Sequence, residues 1–305
     1  MRLPAALRRV HGLVLAHHRV GEHAGDRERE LVPALPTGLF EERLDLIASE
    51  YHVVPAAEIL TAVRTSRRGA KPPLALTFDD DLASHLEVVA PALRSRGLTA
   101  TFFVNPPLPN GASFWWEDLQ ALADDGRLPQ RLDSLPGEEI DAVARREPKA
   151  IHVLGRTIES LPPERRDAVA AELHELAGHH TRPRLDAKGM KALADAGFDL
   201  GFHTQHHYLL TTLDDECLRR ELSEGRDAIE QVAGRPVSIA AYPHGKADAR
   251  VAHAARAAGL QLAFTGAKAP VRRTTDPVLV PRVEVHAAPT KEFEGRLDWV
   301  MAGAA

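Results

Sequence analysis

Three consecutive carboxylates, Asp79, Asp80 and Asp81, follow directly on the apolar run Leu74-Ala75-Leu76-Thr77-Phe78. A run of this kind, entered from Lys71-Pro72-Pro73, predicts a strand buried on both faces, as in a parallel sheet. Acids at its C-terminal end stand where α/β folds place their chemistry. Carboxylates this close repel, so one of them must bind a cation or take up a proton. The plainer reading is a solvated acidic turn, and a cation partner elsewhere in the chain would decide between the two. A partner is offered by Gly201-Phe202-His203-Thr204-Gln205-His206-His207. His203 and His207 are four apart, which on a helical turn brings their Cβ atoms within about 6 Å. Two imidazoles and one carboxylate, with a fourth position open to water, form the ligand set of a catalytic zinc or similar ion. The histidine pair alone would suit a surface turn equally well.

The elements that must position these groups alternate. Apolar, β-rich stretches recur at 12–16, 51–55, 74–79, 99–104, 198–202, 237–241, 262–265 and 279–285. Between them lie helical patterns that stop at glycines such as Gly97, Gly197 and Gly234. About seven strand–helix alternations predict an α/β architecture, a distorted and possibly incomplete (β/α)7-type barrel. Leu213 to Ala233 reads as one long amphipathic helix, with Leu218, Leu222, Ile229 and Val232 on the buried side. From about 106 to 184 the strand signal stops. Helical stretches at Phe114–Leu122, Glu138–Arg146 and Pro163–Ala177 mark a helical insertion, within one catalytic domain spanning 1–305.

Composition excludes several classes. The 305 residues carry a net charge of −5 and no basic run or aromatic-basic stripe, which argues against nucleic acid as a partner. No window reaches the length of a membrane span. Arg2, Arg8 and Arg9 flank an apolar segment too short for a signal sequence, and the single cysteine, Cys217, allows no intramolecular disulfide. A cytoplasmic protein is expected.

Thr77-Phe78-Asp79-Asp80, followed by His203-Thr204-x-x-His207, resembles the polysaccharide deacetylases, carbohydrate esterase family 4. Their first motif is T-F-D-D-G and their second H-S/T-x-x-H. Tyr242-Pro243-His244-Gly245 is similar to the third motif in its Y-P-x-G form. Ala16-His17-His18-Arg19-Val20 is similar to the Y-H-R-V that opens many members, and Leu279-Val280-Pro281-Arg282-Val283 to an L-P-R-I/V near their end. The resemblance implies a metal-dependent hydrolase that removes an N-acetyl or O-acetyl group from a sugar or sugar-containing precursor. It makes Asp79 the general base, and Asp80, His203 and His207 the ligands of one divalent ion, most simply zinc. That ion would polarise the acetyl carbonyl and lower the pKa of the attacking water. It makes the backbone N–H of Tyr242 an oxyanion donor, and Thr204 a hydrogen-bonding support for the second motif.

The chain departs from the family pattern in places. Asp81 replaces the usual glycine, and Ile239-Ala240-Ala241 stands where many members carry an arginine. For the acid that protonates the leaving amine, His286 is the nearest counterpart, with His18 and His244 as rivals that could instead bind substrate. Trp115 and Trp116 either pack the insertion or form a sugar-stacking platform. Two other readings compete: a phosphohydrolase of haloacid dehalogenase type using Asp79 and Asp81, and a non-catalytic carbohydrate-binding module on the same scaffold. The first leaves the histidine pair unexplained.

Overall fold

The computed structural model describes residues 11–107, 113–129, 131–135, 149–178 and 184–303. Its strands sort their side chains to two faces by simple alternation. In β5 (Pro73–Asp79), Leu74, Leu76 and Phe78 join the apolar layer formed with the surrounding helices. Ala75, Thr77 and Asp79 turn the other way, where Ala75 meets Val14, Phe103, Ile239, Phe264 and Val280 from neighbouring strands. Asp79 therefore caps an interior row rather than an exterior one. This parity is what aims it into the molecule.

Every pairing in the main sheet is parallel. Beside β5 run β1 (Leu13–His17) on one side and β6 (Thr101–Val104) on the other. Next come β7 (Asp199–Phe202), β8 (Ile239–Ala241) and β9 (Leu262–Thr265). The last strand serves both ends of this row. Its first half, β10 (Val280–Pro281), pairs with β9, and its second half, β11 (Val283–Glu284), pairs with β1. Arg282 lies between the halves, its N–H donating to the Thr265 carbonyl at 3.0 Å. The sheet thus nearly closes on itself as a (β/α)7-type barrel, as the alternation predicts. A short parallel ribbon, β2 (Val20–Gly21) with β3 (Leu35–Pro36), stands beside it, and β4 (His52–Val53) edges β5.

Helices α1 (Thr37–Glu50), α3 (Ala90–Arg94), α7 (Ala187–Asp195), α8 (Asp215–Ser223), α9 (Arg226–Ala233), α10 (Ala249–Ala257) and α11 (Thr290–Met301) cover the outside. Asp186, Asp214 and Asp248 cap three of them, each accepting a backbone N–H at 2.8 Å. At the opposite end from Asp79, Ile59, Leu60 and Val63 of α2 (Ile59–Thr65) belong to the interior cluster and close the barrel floor.

Two sequence expectations need correction here. The helix expected over Leu213–Ala233 is two helices, α8 and α9, broken at Gly225. That glycine has φ 76°, and a Cβ there would fall 1.8 Å from Gln205 Oε1 and 2.4 Å from Pro106 Cγ. The break lets the loop after β7 come in close. In the insertion, α4 (Trp115–Asp124) and α6 (Pro163–Ala177) match expectation, whereas α5 (Ala150–Ser160) was not anticipated. The stretch expected over Glu138–Arg146 lies outside the described residues. Leu119, Leu122, Leu154, Ile158, Val169 and Leu173 give these helices an apolar cluster of their own.

Candidate metal centre

Asp80 sits just past the end of β5 with φ 80°, and Asp81 follows with φ 47°. Both are left-handed conformations, which Asp tolerates better than most residues because its short side chain bonds locally. Two successive left-handed residues reverse the chain and bring Asp80 over the barrel mouth. His203 follows β7 directly, its N–H donating to the Val104 carbonyl at 2.8 Å. The expected helical turn over 203–207 is instead a loop with positive φ at Thr204 (65°) and His207 (57°). Thr204 Oγ1 accepts the His207 N–H at 3.1 Å, tying the loop to itself.

These backbones bring three atoms together. Asp80 Oδ1 lies 3.3 Å from His203 Nε2 and 3.4 Å from His207 Nε2. All three groups are buried, yet Asp80 Oδ1 has no hydrogen-bond partner among the described residues. A tetrahedral ion with bonds of about 2.0–2.2 Å has ligand-to-ligand edges of about 3.3–3.6 Å. The separations match, and the orphaned oxygen supplies a reason for them: the donor set fits a divalent ion. His203 Nδ1 bonds the Ala241 carbonyl at 2.9 Å, which fixes the tautomer and leaves the Nε2 lone pair facing Asp80. Burial pushes the His207 imidazole down to about 3 despite the nearby Asp80 carboxylate, so it is neutral and able to ligate. Burial raises Asp80, but His203 and His207 outweigh it and hold the carboxyl well below the usual range. His206 turns away, pairing its Nδ1 with Glu221 Oε1 at 2.6 Å.

Asp79, the expected base, is gripped by Arg282. The guanidinium donates to both carboxylate oxygens at 2.8 Å and also to Thr77 Oγ1 at 3.2 Å. Burial pushes the Asp79 carboxyl up, but the charges of Arg282 and His203 prevail and keep it below its ordinary value. The cation beside Asp79 thus comes from the last strand. Its presence was readable in Leu279-Val280-Pro281-Arg282-Val283, its partner was not.

Asp81 faces neither the ion site nor solvent. It is fully buried, accepts the Asn105 N–H at 3.0 Å and pairs with the Arg184 guanidinium. Burial raises its carboxyl to about 6 in spite of Arg184; the tight guanidinium contact argues for the ionised form. A haloacid dehalogenase reading would need Asp81 facing the site, and this placement does not favour it.

The Tyr242 expectation is corrected. Its backbone N–H donates to the Phe264 carbonyl at 3.0 Å, and its hydroxyl to the Val278 carbonyl at 2.9 Å. Both donors are committed to the sheet, so the N–H does not face an oxyanion.

The three ligands and Asp79 open on a cleft of about 470 Å³ that also borders His18, Trp115, Trp116, His244 and His286. His18 Nε2 is 3.9 Å from Asp80 Oδ2. His17, beside it, stacks on Phe78 and is kept neutral by burial. The tryptophans take the packing reading, while both also border the cleft. Each is only 6% exposed and packs the insertion, while Trp116 lies 4.6 Å from the His207 ring. His244 Nδ1 meets Glu159 Oε1 of α5 at 2.6 Å, and His286 Nε2 is 3.4 Å from Glu284. Sequence reading missed Glu159 because its helix was not anticipated.

A nearly closed (β/α)7-type barrel is also the fold of solved deacetylase structures. Residues 144–263 match the family described as polysaccharide deacetylase. This span includes His203, His207 and Tyr242 but not the aspartates at the end of β5. A search of the curated proteins by sequence returns no match. Among solved structures, a Streptococcus pyogenes deacetylase in complex with acetate aligns at TM-score 0.62 and 15% identity, covering 94% of this chain and 97% of that one. A putative polysaccharide deacetylase from Bacillus anthracis aligns at 0.59 and 15%, covering 94% and 68%. IcaB from Ammonifex degensii aligns at 0.56 and 17%, covering 95% and 97%. The resemblance read from the motifs is borne out by this partial family match, and the solved structures share the fold.

Proposed function

We propose that this protein hydrolyses an N-acetyl group on an amino sugar, with Asp79 as general base and a water as nucleophile. The observation that carries the reading is the convergence of Asp80, His203 and His207 beside an ionised, inward-facing Asp79 in one cleft. Two imidazoles and a carboxylate suit zinc among the available divalent ions. When bound, such an ion supplies Lewis acidity, polarising the acetyl carbonyl and making water a better nucleophile at neutral pH. Asp79 takes the water's proton. Arg282 fixes the plane of its carboxylate and occupies one lone pair on each oxygen, leaving others to accept. We assign protonation of the departing amine to His244 or His286, each beside a carboxylate at the cleft. Trp115 and Trp116 offer ring surface to a pyranose, and His18 and His244 offer polar contacts to its hydroxyls. The free, unpaired Cys217 accords with a reducing compartment such as the cytoplasm.

Acetate release from N-acetylglucosamine oligomers, followed with zinc and after chelation, tests the reading. Activity should vanish on chelation and return with zinc. Asp79→Asn should keep the metal and lose about a hundredfold to ten-thousandfold in turnover, the usual contribution of a positioned base. Chelator-resistant hydrolysis, or near-normal turnover in Asp79→Asn, would sink it.

A further inference from the structure

The opposite end of the barrel carries a second pocket, of about 630 Å³, that the deacetylase chemistry does not use. Arg67 and Arg68, from the loop after α2, and Arg272 and Arg273, from the loop before β10, line it together with His11, Ser66 and Thr274. Strand polarity fixes its position. Val271 pairs with Gly12, the residue just before β1, so the pocket lies at the N-terminal ends of the strands whose C-terminal ends hold the metal site. Both loops are braced. Ser66 N–H donates to Ala62 O, Arg272 N–H to Thr275 Oγ1 at 2.8 Å, and Arg273 Nη2 to Ser66 O at 3.2 Å, tying one loop to the other.

Charge makes the pocket unusual. Four exposed arginines crowd it, and among the described residues no carboxylate forms an ion pair with any of them. Elsewhere many of the chain's arginines are paired, as Arg19, Arg96, Arg184, Arg235, Arg250, Arg256 and Arg282 are. The chain as a whole is acidic, with net charge −5, so this concentration of positive charge is local. Guanidiniums present planar forks of N–H donors that match phosphate oxygens bidentately. The volume falls in the range of small-molecule sites, about 300–1,000 Å³. The depression is shallow and open to solvent, so what it offers a compact, multiply anionic ligand is arginines converging from two loops rather than enclosure.

We propose that this pocket binds a small oligophosphate, either free or as the diphosphate of a larger molecule. Arg67 and Arg68 grip it from one loop and Arg272 and Arg273 from the other, with the Ser66 and Thr274 hydroxyls as further donors. The site is independent of acetyl hydrolysis at the other end of the barrel.

Isothermal titration of the zinc-loaded protein with sodium tripolyphosphate, at about 0.15 M salt where weak surface attraction is screened, tests the proposal. Saturable binding of one tripolyphosphate per chain is expected. Replacing one arginine from each loop, Arg67→Gln with Arg272→Gln, should weaken it at least tenfold, while Arg94→Gln on the distant α3 should not. Acetate release should be the same in all three proteins. The proposal is overturned by absence of saturable heat, by full affinity in the Arg67→Gln/Arg272→Gln protein, or by an equal loss in Arg94→Gln. Capture by phosphatidic acid vesicles without tripolyphosphate binding would likewise replace the small ligand with a membrane.

Discussion

At the scale of single residues, the pair formed by Asp79 and Arg282 decides whether Asp79 can serve as the proposed base. A carboxylate at the barrel's interior row has lost its water, and burial alone would drive it to the neutral acid. An acid already protonated cannot take a proton from water. Arg282 reverses this by giving Asp79 two charge-assisted hydrogen bonds, and Thr77 steadies the guanidinium in turn. Arg282→Met should therefore do two things. It leaves a buried carboxylate without its cation, which typically costs about 3–5 kcal/mol of stability. It also removes the group that keeps the base ionised, so turnover should fall with it. Urea denaturation of Arg282→Met and of the double variant Asp79→Asn/Arg282→Met checks the first effect: the double variant should recover much of the loss. If Arg282→Met were as stable as the wild type, the pair would be a minor contact.

At the scale of elements, strand parity and the two motif strings were legible in the sequence, and they carried both the barrel and the ligand trio. Alternation in Leu74–Asp79 is local, and a buried strand has no other way to seat it. What stayed hidden lies in loops whose dihedrals are chosen by contacts far away in sequence. The spacing of His203 and His207 suited a helical turn, but Thr204 and His207 take positive φ because Thr204 Oγ1 bonds back to His207 N. Leu218, Leu222, Ile229 and Val232 keep helical spacing across a break, so periodicity alone could not show the break. Gly225 was its only local mark. That residue supports the site from outside: its missing Cβ leaves room for Gln205, in the middle of the metal loop. Gly225→Ala should cost about 1 kcal/mol for the left-handed backbone alone, with a further cost from pushing Gln205 aside. A lowered melting temperature together with weaker zinc binding is expected. A melting temperature shift with unchanged zinc affinity would separate the glycine from the site.

At the scale of the whole molecule, the insertion is coupled to the metal centre by arginines. Arg19 beside β1 pairs with Glu117 of α4, and Arg184 pairs with Asp81. Most direct is Arg166 of α6. It is 5% exposed, lies over the Tyr208 ring at 4.3 Å, and donates to the carbonyls of His206 at 2.8 Å and His207 at 2.9 Å. One side chain of the insertion thus holds the backbone of a ligand loop that has little regular structure to hold itself. His207 depends on this, since among the described residues its Nδ1 has no partner like the Ala241 carbonyl that braces His203. Removing supports of metal ligands commonly lowers metal affinity 10–100-fold. Arg166→Met keeps the aliphatic bulk against Tyr208 but frees both carbonyls, so zinc affinity should fall by about that factor. Because the ligands and Asp79 are untouched, excess zinc should restore most of the turnover. Competition with a zinc chelator, paired with turnover measured across a zinc titration, reads both quantities. Zinc affinity equal to that of the wild type would reduce Arg166 to a contact within the insertion. Lost turnover that no amount of zinc restores would mean that Arg166 shapes the cleft rather than the ligand loop.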